Sequence, residues 1–293
     1  MKKKICIVSG CDQNYFDLIK NLILSLKKTK SLDLADLCVF NINFDKGQLS
    51  FLKKYCSKIK KPNWDIKIKY PAKEWKKLLM CRPFINNYFK GYEHYIWLDA
   101  DTFVQNNKFI DKFYRASKKG KISICTETDI NYLNNQRNSN FKKIFFNIFK
   151  IKGWTYKNNK KYLNKKFAEF QIDKPLFNAG VFSIPKKSKL WVDWKNLYKK
   201  ILLNAKNEYA LNMDQASLNY CLYKNLSKVN IFDAKYNWLV KNRTPLICTK
   251  TNKYYSNQIP CEEISILHLT HIDYKKEIQF LSLNNKKILK KII

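Results

Sequence analysis

The stretch YIWLDADTF, residues 95–103, indicates both a fold and a place for function. Its apolar run ends at Leu98 and is followed by two carboxylates, Asp99 and Asp101, one residue apart. In a parallel sheet covered by helices, ligands bind beyond the carboxyl ends of the strands. A buried charge at such an end is costly unless it is solvated or bound. The stretch therefore predicts a buried strand that presents both carboxylates to a ligand.

Strand and helix patterns alternate on either side of this stretch. The predicted strands span 4–10, 36–42, 64–70, 177–185, 228–233 and 264–271, and the predicted helices span 16–28, 48–59, 76–89, 190–202 and 213–223. Such alternation is typical of an α/β fold with a mostly parallel central sheet and helices on both faces. No internal repeat or linker divides the chain, so we expect one domain over 1–293 with an irregular C-terminal half.

The net charge of +34 has two interpretations. It favours a polyanionic partner such as nucleic acid, an anionic membrane surface or an acidic substrate. It also fits an AT-rich genome, because lysine, asparagine and isoleucine are all abundant. Only four basic residues are arginines: Arg82, Arg115, Arg137 and Arg243. Each arginine is of interest because its planar fork binds phosphates in a way that lysine cannot.

The cysteines and the N-terminus bear on the compartment. The nine cysteines form no CxxC pair and no metal-ligand spacing, which favours a reducing compartment. The start, MKKKICIVSG, has too short an apolar run for a signal peptide and is typical of a first strand. No apolar stretch reaches the length of a spanning helix. We therefore expect a cytoplasmic protein, soluble or peripherally attached to a membrane.

The pair Asp99 and Asp101 has a chemical and a structural interpretation. Two carboxylates after a strand can bind one hard cation, Mg²⁺ or Mn²⁺, whose shell is completed by phosphate oxygens of a substrate. The structural alternative is a turn capped by Asp99. Spacing alone leaves both open.

Four motifs in order resemble a known group. YIWLDADTFVQN (95–106) resembles the D-x-D segment of nucleotide-sugar glycosyltransferases with the GT-A fold. FNAGV (177–181), DQASLN (214–219) and ILHLTH (266–271) resemble the donor-sugar strand, a helix start and the late histidine strand of glycosyltransferase family 8, which includes lipooligosaccharide galactosyltransferases and glycogenin. Arg82 lies seventeen residues before Asp99, where that group often has Arg or Lys.

The resemblance implies a metal-dependent hexosyltransferase. The donor would be a nucleotide-sugar, with a UDP-sugar favoured, and the acceptor a glycan or a lipid-linked glycan, with retention of anomeric configuration. The implied halves are 1–105 for nucleotide binding and 106–276 for the donor sugar and acceptor, followed by a basic tail at 277–293.

The resemblance also implies roles for individual residues. Asp99, Asp101 and His268 would hold Mn²⁺ or Mg²⁺, and Asp214 and Gln215 would act at the reacting carbon. The remaining donor contacts would be Ser9, Asp12, Tyr15, Arg82, Ala100, Asn178, Ala179, Gly180 and Lys275. The late motif departs from the family pattern, because His271 and Tyr274 stand where the family usually has Gly and Lys. The diphosphate-binding lysine is therefore Lys275 or its neighbour Lys276.

Two alternative functions and one further contact fit parts of the sequence. A nucleic-acid-binding protein would explain the charge but not four ordered motifs, so we expect no nucleic-acid partner. A sugar-phosphate nucleotidyltransferase would need a Gly-rich phosphate loop, which SGCDQNY (9–15) is not. The basic and aromatic stretches 141–157 and 278–293 fit either a peripheral contact with an anionic membrane or helices with one core face.

Overall fold

The computed structural model describes residues 3–127, 154–172, 174–257, 259–270 and 272–292. Most of the basic stretch 141–157 and His271 therefore lie outside the described residues. Among the described residues, no helix combines the length and the apolar character needed to cross a membrane.

The described elements follow the alternation that the sequence predicts. The strands are β1 Ile5–Asp12, β2 Asp36–Ile42, β3 Lys58–Lys60, β4 His94–Leu98, β5 Thr102–Val104, β6 Ile122–Thr126, β7 Phe177–Pro185, β8 Val229–Phe232, β9 Trp238–Leu239, β10 Leu246–Cys248, β11 Lys253–Tyr255, β12 Ile266–His268, β13 Ile278–Ser282 and β14 Lys287–Lys290. The helices are α1 Phe16–Lys28, α2 Ser31–Leu34, α3 Lys46–Lys53, α4 Lys77–Cys81, α5 Ile85–Tyr88, α6 Lys108–Lys118, α7 Trp154–Asn158, α8 Lys165–Gln171, α9 Leu190–Leu203 and α10 Asp214–Lys224.

Seven strands form the central sheet, in the order β3-β2-β1-β4-β7-β6-β8. Strand β1 is parallel to β2 and β4, whereas β7 runs antiparallel between β4 and β6. In β4 the alternate side chains Tyr95 and Trp97 pack in one core cluster, and Ile96 and Leu98 pack in another. Both faces of the sheet are therefore covered, which explains why the strand is apolar from Tyr95 to Leu98. The predicted α/β class with a mostly parallel sheet is confirmed.

A second, three-stranded sheet attaches the late part of the chain to the end of β4. Its order is β5-β12-β9, and β5 begins directly after the carboxylate pair. Strand β12 pairs antiparallel with β5, so that His268 lies opposite Thr102. The pairing brings a histidine from the end of the sequence to the carboxyl edge of the central sheet.

Three local predictions differ from the structure. Residues 64–70 form no strand, because Ile66 is buried and its N–H points to the Met80 sulfur instead of a neighbouring strand. The helix predicted over 48–59 ends at Lys53, and β3 follows. The helix predicted over 76–89 is divided into α4 and α5 by a 3-10 turn that contains Pro83, as expected for a residue without a backbone N–H.

The segment predicted as a basic tail contains a β-hairpin. Strands β13 and β14 pair antiparallel in a four-stranded sheet of order β11-β10-β13-β14. Phe280 and Ile292 are buried in a third core cluster, and the Tyr254 hydroxyl donates to the Ile292 carbonyl. The end of the chain is therefore packed against the domain, and its lysines project from a sheet instead of a helix.

Candidate functional site

The carboxylates Asp99 and Asp101 lie in a tight turn at the carboxyl edge of the central sheet. The turn connects β4 to β5, and the Thr102 hydroxyl donates to the Asp99 carbonyl at 2.7 Å. The Asp99 N–H donates to the Gly180 carbonyl on β7 at 2.8 Å. Both carboxylates are only half-buried, so they face the space beyond the strand ends.

His268 completes a cluster of three candidate metal ligands. Its Nε2 lies 3.3 Å from an Asp101 oxygen and 3.9 Å from an Asp99 oxygen. One donor atom from each of the three residues lies within 4.8 Å of the others. A nitrogen and two carboxylate oxygens suit Mn²⁺ and also accommodate Mg²⁺. The residues present therefore fit a divalent cation.

Gly180 provides the room for this cluster. A Cβ atom at this position would lie 2.2 Å from His268 Cε1 and 2.9 Å from an Asp99 oxygen. Both distances are below van der Waals contact, so a side chain at position 180 would displace two of the three ligands. The glycine of FNAGV is therefore required by close approach at the site.

The charges within the cluster stabilise each other. Burial lowers the pKa of His268, but Asp101 and Asp99 outweigh it and leave that pKa above its ordinary value. Burial raises the pKa of Asp101, but the charge and hydrogen bond of His268 reverse this and leave it below its ordinary value.

Arg82 joins two carboxylates on the other side of Asp99. One guanidinium nitrogen lies 2.5 Å from Asp99 and another lies 2.6 Å from Asp214. The guanidinium lies over the Trp97 ring at 5.0 Å, and the Trp97 indole N–H also donates to Asp99. Burial lowers the pKa of Arg82, but the two carboxylates outweigh it and raise the pKa overall. Arg82 therefore fixes the orientation of the Asp99 carboxylate.

Asp214 lies in the buried part of this network. Burial raises the pKa of its carboxyl group above the ordinary value, although Arg82 opposes this shift. The side chain begins α10 and is only 3% exposed. The ion pair with Arg82 is the contact that compensates the buried carboxylate.

Two adjoining cavities meet at Asp99 and Asp101. Cavity A has a volume of about 370 Å³ and is lined by Gly10, Cys11, Asp12, Tyr15, Leu18, Trp75, Leu78, Leu79, Arg82, Trp97, Asp99, Ala100 and Asp101. Cavity B has a volume of about 700 Å³ and is lined by Tyr15, Leu18, Leu79, Asp99, Asp101, Glu127, Asn178, Gly180, Gln215, His268, Leu269, Thr270, Ile272, Asp273 and Tyr274. A single extended ligand can therefore contact both carboxylates and reach into both cavities.

Hydrogen bonds hold the polar side chains of cavity B. Gln215 accepts from the Ala179 N–H at 2.9 Å and donates to Glu127 at 3.3 Å. Asn178 also donates to Glu127, at 2.9 Å. The carboxylate of Glu127 and the amides of Asn178 and Gln215 thus lie beside the three candidate metal ligands. This arrangement is able to bind hydroxyl groups.

The predicted site residues divide into two groups. Those that line a cavity are Asp12, Tyr15, Arg82, Asp99, Ala100, Asp101, Asn178, Gly180, Gln215 and His268. Four others are not among the lining residues. Ser9 and Ala179 are fully buried in strands, Asp214 lies beneath the cavities, and Lys275 is exposed just after Tyr274. The Ala179 backbone N–H contacts Gln215, and the Asp214 carboxylate contacts Arg82.

Three residues at the site were missed by the sequence analysis. Trp75 lines cavity A, and Glu127 follows β6 as Asp99 follows β4. The position of Glu127 at a strand end was a usable signal, because the carboxyl ends of sheet strands carry ligand contacts. Asn237 contacts His268 from just before β9, and its segment carries no such pattern.

Comparison with known proteins identifies the family of the chain. A sequence model described as glycosyl transferase family 8 matches residues 6–274. A search of curated protein sequences finds no match.

Several solved structures share the fold at low sequence identity. A crystal structure of the galactosyltransferase LgtC with donor and acceptor sugar analogues has a TM-score of 0.53 and 12% identity, over 91% of this chain and 87% of that one. The glycosyltransferase GlyE of Streptococcus pneumoniae has a TM-score of 0.53 and 15% identity, over 99% of this chain and 58% of that one. Mouse xyloside xylosyltransferase 1 has a TM-score of 0.51 and 12% identity, over 91% of this chain and 98% of that one.

Proposed function

Because the chain belongs to glycosyl transferase family 8 and is a glycosyltransferase, we propose that it uses a nucleotide-sugar, with a UDP-sugar as the first candidate. The proposed acceptor is a hydroxyl of a glycan or a lipid-linked glycan. Family membership also supports retention of the anomeric configuration and favours glycosyl transfer over nucleotidyl transfer.

One observation carries this proposal. The carboxylates Asp99 and Asp101 line two cavities at once, and cavity B combines them with His268, Asn178 and Gln215. A nucleotide-sugar has the matching parts in the same order: a nucleoside, a diphosphate and a sugar. The diphosphate would lie at the carboxylates, with the nucleoside in cavity A and the sugar in cavity B.

The bond that breaks joins the anomeric carbon to the diphosphate. A cation held by Asp99, Asp101 and His268 would stabilise the negative charge that develops on the departing diphosphate. Arg82 holds the carboxylate of Asp99 through a charge-assisted hydrogen bond, so its role is to keep that ligand in place. Lys275, beside Tyr274 at the rim of cavity B, is the candidate for a direct contact with the diphosphate.

The donor sugar would contact the polar wall of cavity B. Asn178 and Gln215 offer amide groups to sugar hydroxyls, and Glu127 adds a carboxylate acceptor. Asp214 would act indirectly, since its carboxylate is buried against Arg82. The acceptor hydroxyl would approach from the open side of cavity B. As the new glycosidic bond forms, its proton would pass to the departing diphosphate.

The nucleoside would contact the mouth of cavity A. Tyr15 is 58% exposed there, and Trp75 is exposed on the same cavity. Aromatic rings at a cavity mouth are suited to stacking on a nucleobase. Asp12 accepts from the backbone N–H groups of Asn14 and Tyr15, which orders the loop that carries Tyr15.

The hairpin of β13 and β14 is the proposed contact with an anionic membrane surface. Leu281 lies opposite Lys287, and Leu289 is 63% exposed on the same strand pair. Leu283 and Lys286 are also exposed, in and beside the connecting turn. Exposed leucines interleaved with lysines favour a surface that carries negative charge above an apolar interior.

The experiment that tests the proposal is a panel of nucleotide-sugars with Mn²⁺, scored by release of the nucleoside diphosphate in the absence of acceptor. We expect slow hydrolysis of at least one UDP-sugar, and none by the Asp101→Asn variant. Hydrolysis of only a sugar on another nucleotide would overturn the choice of UDP. No hydrolysis and no thermal shift with any donor would overturn the proposed donor class.

A further inference from the structure

A chain of hydrogen bonds connects the candidate metal ligand His268 to the wall of cavity B. His268 Nδ1 lies 2.9 Å from Asn237 Oδ1, on the side of the ring away from the carboxylates. Asn237 Nδ2 lies 3.0 Å from Asn178 Oδ1, and Asn178 Nδ2 lies 2.9 Å from Glu127. His268 and Asn237 are both buried, so their polar atoms depend on protein partners.

The direction of each hydrogen bond in this chain follows from its neighbours. Asn178 Oδ1 accepts from the Gly180 backbone N–H at 2.8 Å, and a backbone N–H can only donate. The Asn237 atom that faces this oxygen must therefore be its amide nitrogen. The other end of the Asn237 amide, which faces His268, is then the oxygen, an obligate acceptor.

The contact of Asn178 with Glu127, at the far end of the hydrogen-bond chain, requires the same orientation of the Asn178 amide. The second atom of the Asn178 amide faces a Glu127 carboxylate oxygen, which accepts hydrogen bonds when it is ionised. That atom is then the nitrogen, in agreement with the assignment from Gly180. A backbone donor in β7 and a carboxylate acceptor just after β6 thus both determine the orientation of the amides.

We infer that Asn237 is a positioning residue for the cation site: its amide oxygen holds the hydrogen of His268 on Nδ1 and leaves the lone pair of Nε2 to bind the cation. The inference rests on the proposed function, because it concerns how the chain prepares His268 to bind a cation. Partners on the far ring nitrogen fix the tautomer and orientation of a ligating histidine.

The chemistry of the ring explains why such a partner is needed. Without a cation, Nε2 faces Asp101 at 3.3 Å, and a carboxylate there attracts a hydrogen onto Nε2. A nitrogen that carries a hydrogen cannot bind a metal. With its single hydrogen held on Nδ1 by the Asn237 oxygen, the neutral ring presents the lone pair of Nε2 toward Asp101 and Asp99.

Two substitutions at position 237 separate positioning from packing. Asn237→Leu keeps the approximate shape and removes the acceptor, whereas Asn237→Asp keeps an oxygen facing His268 and removes the donor to Asn178. The readout is Mn²⁺ affinity, measured from the electron paramagnetic resonance signal of free Mn²⁺ with UDP present. We expect Asn237→Leu to weaken Mn²⁺ binding about 10- to 100-fold, and Asn237→Asp to remain within about threefold of wild type.

The outcomes distinguish this inference from the proposed function. If wild type does not bind Mn²⁺, the proposed function fails. If wild type binds and Asn237→Leu binds equally well, or if both variants lose the same affinity, the inference alone fails. A second measurement does not depend on a variant: ¹⁵N-histidine NMR of the wild-type protein saturated with Mg²⁺ should find the His268 hydrogen on Nδ1. A hydrogen on Nε2 in that state would overturn the inference.

Discussion

The strand-end site and the C-terminal hairpin carry charge in opposite ways. At the site, Arg82 is enclosed between Asp99 and Asp214, and His268 lies beside Asp101, each at a defined distance. On the hairpin, lysines such as Lys287 project from a surface strand into solvent. A buried charge depends on the identity and position of its partner, whereas exposed charges act mainly through their number. The candidate site and the exposed lysines of the hairpin therefore lie in different parts of the chain.

The largest expected effect is the loss of a charged ligand at the site. Asp101→Asn should reduce donor hydrolysis about 1,000-fold or more, because the amide cannot replace a carboxylate at a divalent cation. Steady-state kinetics of donor hydrolysis measure this. Asp101 is preferable to Asp99, whose loss would also remove one of the two carboxylates that pair with the buried Arg82.

The matched control for this substitution is Asp111→Asn, which removes a carboxylate from an exposed pair with Arg115. It should leave hydrolysis unchanged. Near wild-type turnover by Asp101→Asn at saturating donor would show that the carboxylate pair is only a turn.

Chelation should abolish activity to a similar extent. EDTA removes the cation from the cluster, and added Mn²⁺ should restore hydrolysis at least as well as Mg²⁺, because His268 supplies a nitrogen ligand. Rates measured across a metal series test the order. Full activity in excess chelator would contradict the roles of all three ligands.

A smaller effect is expected from replacing the arginine of the site by lysine. Arg82→Lys keeps the charge but cannot reach Asp99 and Asp214 at once, so hydrolysis should fall about 10- to 100-fold. The control Arg115→Lys changes an exposed arginine and should have no effect on the rate. Equal rates for both variants would mean that Arg82 acts only through its charge.

These expectations indicate how much the sequence could predict. Strand β4 and the turn after it were predictable, because an apolar strand followed by carboxylates is a local pattern. The strand of His268 was predictable because it also lies in a local apolar run. Asn237 was not, because its contact with His268 depends on the pairing of β12 with β5 and β9. The error over 64–70 has a related cause: an alternating pattern reports burial of every second residue, and Ile66 reaches the core without pairing in a sheet.

The start of β4 offers a third environment, in which His94 is buried without a charged partner among the residues that the structure describes. Burial lowers the pKa of His94 to about 3. As the pH falls, His94 therefore takes up a proton in the unfolded chain before it does so in the folded protein. The contribution of His94 to the free energy of unfolding is complete above about pH 6.5 and is lost progressively as the pH falls toward 3. At about pH 5 the loss is about 2 kcal/mol.

Comparison with a variant isolates this contribution. His94→Phe, which keeps a ring beside Tyr114, should lose less stability than wild type between neutral pH and about pH 5. Urea unfolding at each pH measures the difference. Parallel pH dependences for the two proteins would show that His94 is not a source of acid sensitivity.

The smallest effect on catalysis is expected at the hairpin. Replacement of Lys286, Lys287 and Lys291 by glutamine should leave donor hydrolysis unchanged, because these side chains lie on the surface away from the lining of both cavities. Binding to anionic vesicles at physiological salt should weaken by about fivefold for each lysine lost. Co-sedimentation measures it.

The control replaces three exposed lysines in and directly after helix α6, namely Lys112, Lys118 and Lys119. If both triple variants weaken vesicle binding equally, only the net charge matters and the hairpin is not a specific contact. Unchanged vesicle binding by the hairpin variant would exclude its lysines from membrane attachment.

The most direct test of the central claim is anomalous diffraction from crystals soaked with Mn²⁺ and UDP. The claim is that one cation, held by Asp99, Asp101 and His268, binds the diphosphate of the donor. A single manganese peak between these three side chains, in contact with the diphosphate and with the nucleoside in cavity A, is the predicted result. A nucleotide bound elsewhere, or bound at this edge with manganese away from the three ligands, would contradict it.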